Sequence, residues 1–405
     1  MNDCLRPQTT RTPAVVVRMD NNPFHHGTLA AIRSLGRLGV DVHAVIAEPY
    51  GPAARSNYLS SCHSWLDAPT RAESFLSTLL ALADRIGSRP VLLPMDDITA
   101  IYMAEHANVL TSGFRLSEPA GTLPEQLANK RTLAAICDEF DIPHPETRVV
   151  ETPADWLHVE RTYDFPVVAK WAQPWKVAFG NGLRSTSVID SPAELQALKA
   201  VAARQDSELL LQEYIAPAPG TDWFLHGYFG GDPSRDFVGT GRKERSHPPA
   251  AGITTLGRWL PNPKIARMGR KLVDALHFTG ILDLDFRYNP HDGEYYLLDF
   301  NPRVGAQFRL FDDTNQVDVI RAAYFDLAGH PCHPGAPSYG RTYVVENYDL
   351  LRNLVRGQKP RGPKTPGWFT SVRRADELAW YASDDHEPFF GMIRQSLLHA
   401  LKQRR

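Results

Sequence analysis

The stretch LDLDFRYNPHDGEYYLLDFNPR, residues 282–303, decides both the fold and the chemistry that the sequence predicts for this chain. It consists of two apolar segments with alternating side chains, joined by HDG, which is typical of a tight β-hairpin turn. Side chains of a strand point alternately to its two faces. The hairpin therefore predicts that Asp285 and Asp299 lie opposite each other and that Asn301 shares the face of Asp299.

Two acidic side chains that face each other on a sheet repel unless a cation lies between them. Together with the amide oxygen of Asn301, the carboxylates of Asp285 and Asp299 form an oxygen-only ligand set of the kind that Mg²⁺ prefers. The residues alone leave a second interpretation open, in which the hairpin is exposed and these side chains are simply solvated.

Residues 1–115 predict a small α/β domain. Short apolar strands alternate with helices in which leucine and isoleucine recur about once per turn, and this order favours a parallel sheet. The predicted elements are strand 14–17, helix 28–38, strand 40–46, helix 72–86, strand 91–93 and a helix from residue 98.

Residues 116–335 predict an α+β domain, because single helices interrupt the strands and the last two strands form an antiparallel hairpin. The predicted elements are helix 123–140, strand 167–170, loop 173–187, helix 193–204, strands 209–214 and 223–229, helix 264–276, and hairpin strands 282–288 and 295–300. Residues 336–405 are predicted to be a short C-terminal extension, to which the sequence assigns no role.

The composition argues against several classes of function. The net charge of −2 gives no broad basic field for nucleic acid or an anionic membrane. The four cysteines are far apart and form no CxxC pair, which favours a reducing compartment. No stretch approaches the roughly 20 apolar residues of a membrane span, and the polar start lacks the apolar segment of a signal peptide. We therefore expect a cytoplasmic protein.

Basic residues upstream of the hairpin are candidate contacts for an anion. Lys170 ends an apolar strand, and the loop 173–187 that follows contains Gly180 and Gly182, which let backbone N–H groups approach phosphates. Lys130 lies near the start of a helix, where a bound anion would offset its unfavourable interaction with the helix dipole. Each lysine has an ordinary alternative as a solvated surface side chain, and the loop as a plain connection.

The segment LLLQEYI, residues 209–215, is an apolar strand that ends in polar groups. Gln212 and Glu213 can offer hydrogen bonds to the edge of an adenine, or they mark an ordinary strand end.

Taken in order, these features resemble the ATP-grasp superfamily over residues 130–329, and the first domain is similar to the pre-ATP-grasp domain. The resemblance implies that the lysines and the glycine loop hold ATP phosphates, that the segment after residue 211 contacts adenine and ribose, and that Arg303 lies beside the transferred phosphoryl group. The implied ATP contacts are Lys130, Lys170, Gly180, Gly182, Gln212, Glu213, Ile215 and Asp222, and the implied Mg²⁺ ligands are Asp285, Asp299 and Asn301. Aspartate stands at positions 222 and 299, where glutamate is usual in the superfamily.

Within the superfamily, the chain resembles carboxylate–amine ligases such as D-aspartate ligase, through GTGRKERSHPPAAGITTLG, 239–257, and NPRVGAQFRLF, 301–311. The resemblance implies an enzyme that joins a small, amino-acid-like carboxylate to an amine through an acyl phosphate. Arg242 and Lys243 are the predicted contacts of the substrate carboxylate or of a phosphate, with a solvated charge run as the alternative.

Two other functions stay open at this point. One is another ATP-grasp reaction, of the carboxylase or kinase type, and the other is a nucleotide-binding module without catalysis. The sequence does not identify the acid or the amine. The turns at residues 20–27 and 94–97 lie where a doubly wound sheet places its binding crevice, so His25, His26 and Asp96 are further candidate contacts.

Overall fold

The computed structural model describes residues 11–47, 49–65, 71–117, 121–177, 184–248, 252–354 and 367–402. Three sheets organise these residues, two with four strands and one with seven. Among the helices described, none is long and apolar enough to cross a membrane. The predicted domain limits stay predictions.

The first sheet is parallel, as predicted, with the strand order β3-β2-β1-β4. Its central strand AVVV is buried on both faces, because Ala14 and Val16 pack into one core cluster and Val15 and Val17 into another. The strands are β1 Ala14–Val17, β2 Val42–Val45, β3 Leu59–His63 and β4 Val91–Pro94, and the helices are α1 His26–Gly36, α2 Arg71–Ile86, α3 Asp97–Glu105 and α4 Ala107–Gly113.

The second sheet is antiparallel, with the strand order β5-β8-β6-β7. Its strands are β5 Thr147–Val149, β6 Val167–Trp171, β7 Thr186–Ile189 and β8 Leu209–Glu213, and the helices of this region are α5 Leu123–Ala128, α6 Lys130–Glu139, α7 Pro153–Thr162 and α8 Pro192–Ala202.

The single helix predicted over residues 123–140 is wrong. The backbone of Asn129 is extended, with φ −73° and ψ 119°, and its side chain caps α6 by accepting a hydrogen bond from the backbone N–H of Arg131. The break makes Lys130 the first residue of α6, and its backbone N–H donates to the carbonyl oxygen of Ala172 at 2.9 Å. Lys130 is thereby fixed next to the end of β6.

The third sheet carries the predicted hairpin and has the strand order β13-β12-β9-β10-β11-β14-β15. The predicted pairing is confirmed, because Asp285 lies opposite Asp299 in the register of the hairpin. The strands are β9 Asp222–Phe229, β10 Phe237–His247, β11 Ile253–Trp259, β12 Gly280–Asn289, β13 Glu294–Asn301, β14 Thr342–Val344 and β15 Glu377–Leu378, and the helices are α9 Pro263–Leu276, α10 Val319–Ala328, α11 Glu346–Leu354, α12 Trp368–Arg374 and α13 Glu387–Lys402.

Two features of this sheet were not predicted. The charged stretch around residue 243 forms β10, a central strand, although its charges hide the alternation that marks a strand. The predicted C-terminal extension supplies β14 and β15, which form one edge of the same sheet. Just before α13, Asp385 accepts a hydrogen bond at 2.8 Å from Arg33, so this segment contacts α1.

Candidate functional site

A cleft with about 760 Å³ of open space lies between the second and third sheets. Strands β6, β7 and β8 supply one wall, and strands β9, β10, β12 and β13 supply the other. The predicted site residues that line the cleft are Lys170, Gln212, Glu213, Ile215, Asp222, Lys243, Asp285 and Asp299. Residues from distant parts of the chain are thus brought to one place.

Three lysines surround the paired aspartates at this cleft. Lys130 Nζ lies 2.5 Å and Lys170 Nζ 3.7 Å from the carboxylate of Asp299. Lys243 Nζ lies 2.8 Å from Asp285 Oδ1. When all five groups are ionised, three ammonium groups face two carboxylates, so the cluster has an excess of positive charge and favours an anion with several negative charges.

The electrostatics of the cluster follow from burial and from these contacts. Burial raises the pKa of Asp299, but Lys130 and Lys170 outweigh it and bring the pKa to about 2. Burial also raises the pKa of Asp285, and Lys243 offsets this only in part because Asp283 and Asp299 are like charges nearby. Asp299 is therefore firmly ionised, whereas the charge on Asp285 is costly without a further cation.

Burial has the opposite sign for the lysines. It lowers the pKa of Lys170, and the neighbouring Lys130 ammonium adds to this, while Asp299 opposes it. Burial lowers the pKa of Lys243 as well, but the carboxylate of Asp285 outweighs it and leaves the pKa above its usual value. Lys170 also donates a hydrogen bond to the carbonyl oxygen of Leu298 at 2.7 Å, which fixes its side chain next to β13.

The paired aspartates line the cleft and offer the oxygen ligands that a hard divalent cation prefers, whereas Asn301 lies opposite Asp283 and does not line the cleft. The Asn301 amide nitrogen donates to the carbonyl oxygen of Asp283 at 3.3 Å, and within the described part of the chain its amide oxygen receives no hydrogen bond. Asp299 Oδ1 is a buried oxygen that has an ion pair but no hydrogen bond. Among the described residues, no three His, Cys, Asp or Glu side chains are arranged so that they could hold a metal ion by themselves, so a cation here would complete its shell with other oxygens.

The other end of the cleft offers hydrogen-bonding groups beside apolar ones. Asp222 Oδ1 accepts from Arg287 Nε at 2.6 Å, and Arg287 Nη1 donates to the carbonyl oxygen of Ile215 at 2.9 Å. Gln212 Nε2 donates to Thr147 at 2.8 Å, which orients the side-chain amide of Gln212. Polar groups beside the apolar side chain of Ile215 suit a ligand that has apolar faces and polar edges.

Arg303 lies beyond the hairpin and is held by acids from two parts of the chain. Its Nη1 donates to Asp283 Oδ2 at 2.7 Å, and its Nε lies 3.4 Å from Asp97 Oδ1 at the start of α3. Burial alone would lower the pKa of Arg303, but Asp97 and Asp283 outweigh it and raise the pKa above its usual value. A permanently charged guanidinium therefore stands next to the metal-ligand candidates.

Some predicted residues do not join the cleft. The prediction that Arg242 and Lys243 act together is wrong for Arg242. Neighbouring side chains of a strand face opposite ways, and of these two residues only Lys243 lines the cleft. The guanidinium of Arg242 instead binds Glu244 at 2.7 Å and lies over the ring of Trp223. Gly180 and Gly182 lie outside the described residues, as does the centre of the predicted glycine loop.

The candidates in the first sheet have structural partners. His26 is buried in the core next to Tyr343 and Trp380 rather than in a crevice. His25 accepts a hydrogen bond from Thr28 N and caps α1. Asp96 caps α3 and also accepts from the backbone N–H groups of residues 19 and 20.

Two residues that contribute to the site, Arg287 and His226, were not predicted from the sequence. Arg287 follows Asp285 by two residues on the same strand, and this spacing was a signal that both share a face. His226 lies 3.1 Å from Asp283 Oδ1, across from it on β9, and only the register of the sheet reveals this neighbour.

Known proteins resemble this chain in sequence over part of its length and in structure over most of it. No family model matches the sequence. D-aspartate ligase of Enterococcus faecium (strain Aus0004) is 26% identical over 261 residues, which cover 61% of this chain and 62% of that protein, so the match spans less than two thirds of the relative.

Two solved structures are similar to most of the chain. An N5-carboxyaminoimidazole synthetase from Staphylococcus aureus, complexed with ADP, has a TM-score of 0.61 at 13% identity and covers 87% of this chain and 88% of its own. An L-amino acid ligase from Bacillus licheniformis has a TM-score of 0.58 at 15% identity and covers 78% of this chain and 75% of its own. The chain has the fold of these enzymes, and the predicted fold class is confirmed.

Proposed function

We propose that this chain, which has the ATP-grasp fold and is a homologue of D-aspartate ligase, is an ATP-dependent carboxylate–amine ligase. The observation that carries the proposal is the cluster of three lysines around the facing carboxylates of Asp285 and Asp299. In this proposal the three ammonium groups bind a polyphosphate and the two carboxylates bind a cation beside it. The relative's name suggests an amino-acid-like acid, with D-aspartate as the first to test.

In this proposal the cleft holds ATP along its length. Lys130, Lys170 and Lys243 contact the phosphates, and Gln212, Glu213 and Ile215 line the adenine, while Asp222 contacts the ribose. Two features support this arrangement, namely the lysine cluster at one end and the polar edge near Ile215 at the other.

Asp285, Asp299 and Asn301 would hold Mg²⁺, because their carboxylates and amide oxygen are the hard ligands that this ion prefers. When bound, Mg²⁺ neutralises charge on the phosphate oxygens and thereby makes the terminal phosphoryl group a better electrophile. Burial raises the pKa of Asp285, so a divalent cation bound beside this carboxylate would lower the cost of its charge.

The proposed reaction has two steps, phosphorylation of the acid and displacement of phosphate by the amine. A substrate carboxylate oxygen attacks the γ-phosphorus of ATP, forming an O–P bond as the bond to ADP breaks, and this gives an acyl phosphate. An amine nitrogen then attacks the acyl carbon, loses a proton, and expels phosphate to leave an amide. The protein's contribution is positioning and charge compensation, with Arg303 and the lysines next to the moving phosphoryl group.

The test is a matrix of amino acids and amines incubated with Mg²⁺ and ATP, with release of ADP and formation of an amide measured together. We expect ADP release that requires both an acid and an amine, beginning with D-aspartate. ADP release that depends on bicarbonate would instead favour a carboxylase type of reaction. ADP release that accompanies a stable phosphorylated product would favour a kinase type.

Two variants make this test specific. Asp285→Asn removes a proposed ligand and is expected to abolish the activity. Glu294→Gln is the matched control, since Glu294 is on the same hairpin but pairs with Lys264 at the surface, where its side chain is 43% exposed. Equal activity in the wild type and Asp285→Asn would refute the proposed metal site.

A further inference from the structure

Arg303 is fixed in a way that leaves part of its guanidinium uncommitted. Nη1 donates to Asp283 Oδ2 at 2.7 Å and to the carbonyl oxygen of Val304 at 3.2 Å, and Nε lies 3.4 Å from Asp97 Oδ1. Within the residues that the structure describes, Nη2 has no hydrogen-bond partner. Its two N–H groups are therefore available to a bound anion.

Asp283 is fixed in turn by His226, from the neighbouring strand β9. His226 Nε2 lies 3.1 Å from Asp283 Oδ1, and the two residues are opposite each other in the register of β9 and β12. The imidazole is 1% exposed and packs between the rings of Phe224 and Phe311. A side chain held so tightly restricts the position of the carboxylate that it contacts.

The same imidazole also sets the path of the backbone after Arg303. A Cβ atom at Gly305 would lie 2.3 Å from His226 Cε1, so the chain passes directly over the ring and only glycine fits there. His226 thus determines the position of Arg303 in two ways, through the carboxylate of Asp283 and through the backbone two residues after the arginine.

We propose that Asp283, supported by His226, is a positioning residue that holds Arg303 so that Nη2 faces the transferred phosphoryl group. This inference rests on the proposed function and assigns a role to two residues that are neither nucleotide contacts nor metal ligands. The arrangement separates two duties on one hairpin, since Asp285 binds the cation whereas Asp283, two residues earlier on the same face, orients the guanidinium. Asp97, at the start of α3, contacts the guanidinium of Arg303 from the side of the first sheet.

The test is a double-mutant cycle with Asp283→Asn and Arg303→Lys, measured as kcat and as KM for ATP. If Asp283 acts through Arg303, Asp283→Asn lowers kcat by about tenfold or more and leaves KM for ATP within about twofold. Arg303→Lys loses the fork geometry and lowers kcat by about a hundredfold. The double variant is then no slower than Arg303→Lys alone, because the two changes remove the same interaction.

Asp349→Asn is the matched control for the loss of a buried acid. Asp349 accepts from Arg245 at 2.7 Å, is fully buried, and lies away from the cleft lining. We expect this variant to lose stability but to keep kcat in the folded fraction. If Asp283→Asn does not fold, His226→Asn takes its place in the same cycle.

The outcomes are distinct. The positioning role would be overturned if the losses of kcat in the two single variants multiplied in the double variant. It would also be overturned if Asp283→Asn had the kcat of the wild type. Either result would leave the proposed function intact. A wild-type enzyme that binds ATP but forms no amide with any acid and amine would overturn the proposed function, and this inference with it.

Discussion

Replacing Asp299 with asparagine is expected to lower the free energy of unfolding of the ligand-free protein by about 2 kcal/mol at pH 7. The contacts with Lys130 and Lys170 bring the pKa of Asp299 from 3.8 to about 2 despite its burial. Each pKa unit corresponds to about 1.4 kcal/mol, and the side chain is only 27% exposed, so solvent screens the interaction little.

The sign of the pH dependence follows from the depressed pKa. Asp299 stabilises the folded protein above the pKa of the unfolded chain, about 3.9, and this stabilisation is lost as the pH falls through the folded value of about 2. The deficit of Asp299→Asn should therefore be about 2 kcal/mol at pH 7 and shrink to about 1 kcal/mol at pH 3.

Urea unfolding of the wild type and Asp299→Asn at both pH values measures this difference. Glu294→Gln serves as the control, because its exposed pair with Lys264 at 2.8 Å is expected to contribute less than about 1 kcal/mol. Equal stability of the wild type and Asp299→Asn at pH 7, or a deficit that does not shrink at pH 3, would refute the electrostatic reasoning.

Four further predictions use the same structure. Asp285→Asn should remove the increase in melting temperature that Mg²⁺ and ATP produce, because the variant lacks a proposed ligand of the cation, as differential scanning fluorimetry can show. Asp222→Asn should raise KM for ATP about tenfold with little change in kcat in steady-state assays. Gly305→Ala should lower the free energy of unfolding by about 1–3 kcal/mol in urea, because its Cβ would collide with the ring of His226. Burial raises the pKa of Glu346 to about 7, so its stabilisation is present below pH 4 to 5 and lost as the pH rises through 7; Glu346→Gln should flatten the decline in melting temperature between pH 5 and pH 8.

Local patterns were sufficient to predict the hairpin. The alternation around Asp285 and Asp299, with HDG between them, depends only on residues close in sequence, and the structure pairs them as predicted. The same holds for β1, where AVVV forms a strand buried on both faces of a parallel sheet.

Long-range contacts explain what was missed. Strand β10 carries Lys243 and Arg245, which look like surface charges until their partners Asp285 and Asp349 are known from other parts of the chain. Arg242 was grouped with Lys243 because the two are adjacent, although the strand turns them to opposite sides.

The helix break before Lys130 was also missed, because apolar residues recur at helical spacing on both sides of it. Asparagine is a favoured N-cap, and recognition of Asn129 as a cap would have placed Lys130 at the start of α6. The pairing of His226 with Asp283 depends on sheet register, which no local pattern specifies.

In the proposed reaction, ATP phosphorylates a substrate carboxylate before an amine replaces the phosphate. The most direct measurement uses an acid whose carboxylate oxygens are labelled with heavy oxygen, with mass spectrometry of the phosphate and the amide after turnover. If an acyl phosphate forms, each released phosphate carries one labelled oxygen and the amide retains the other. Unlabelled phosphate, formed together with amide, would contradict it.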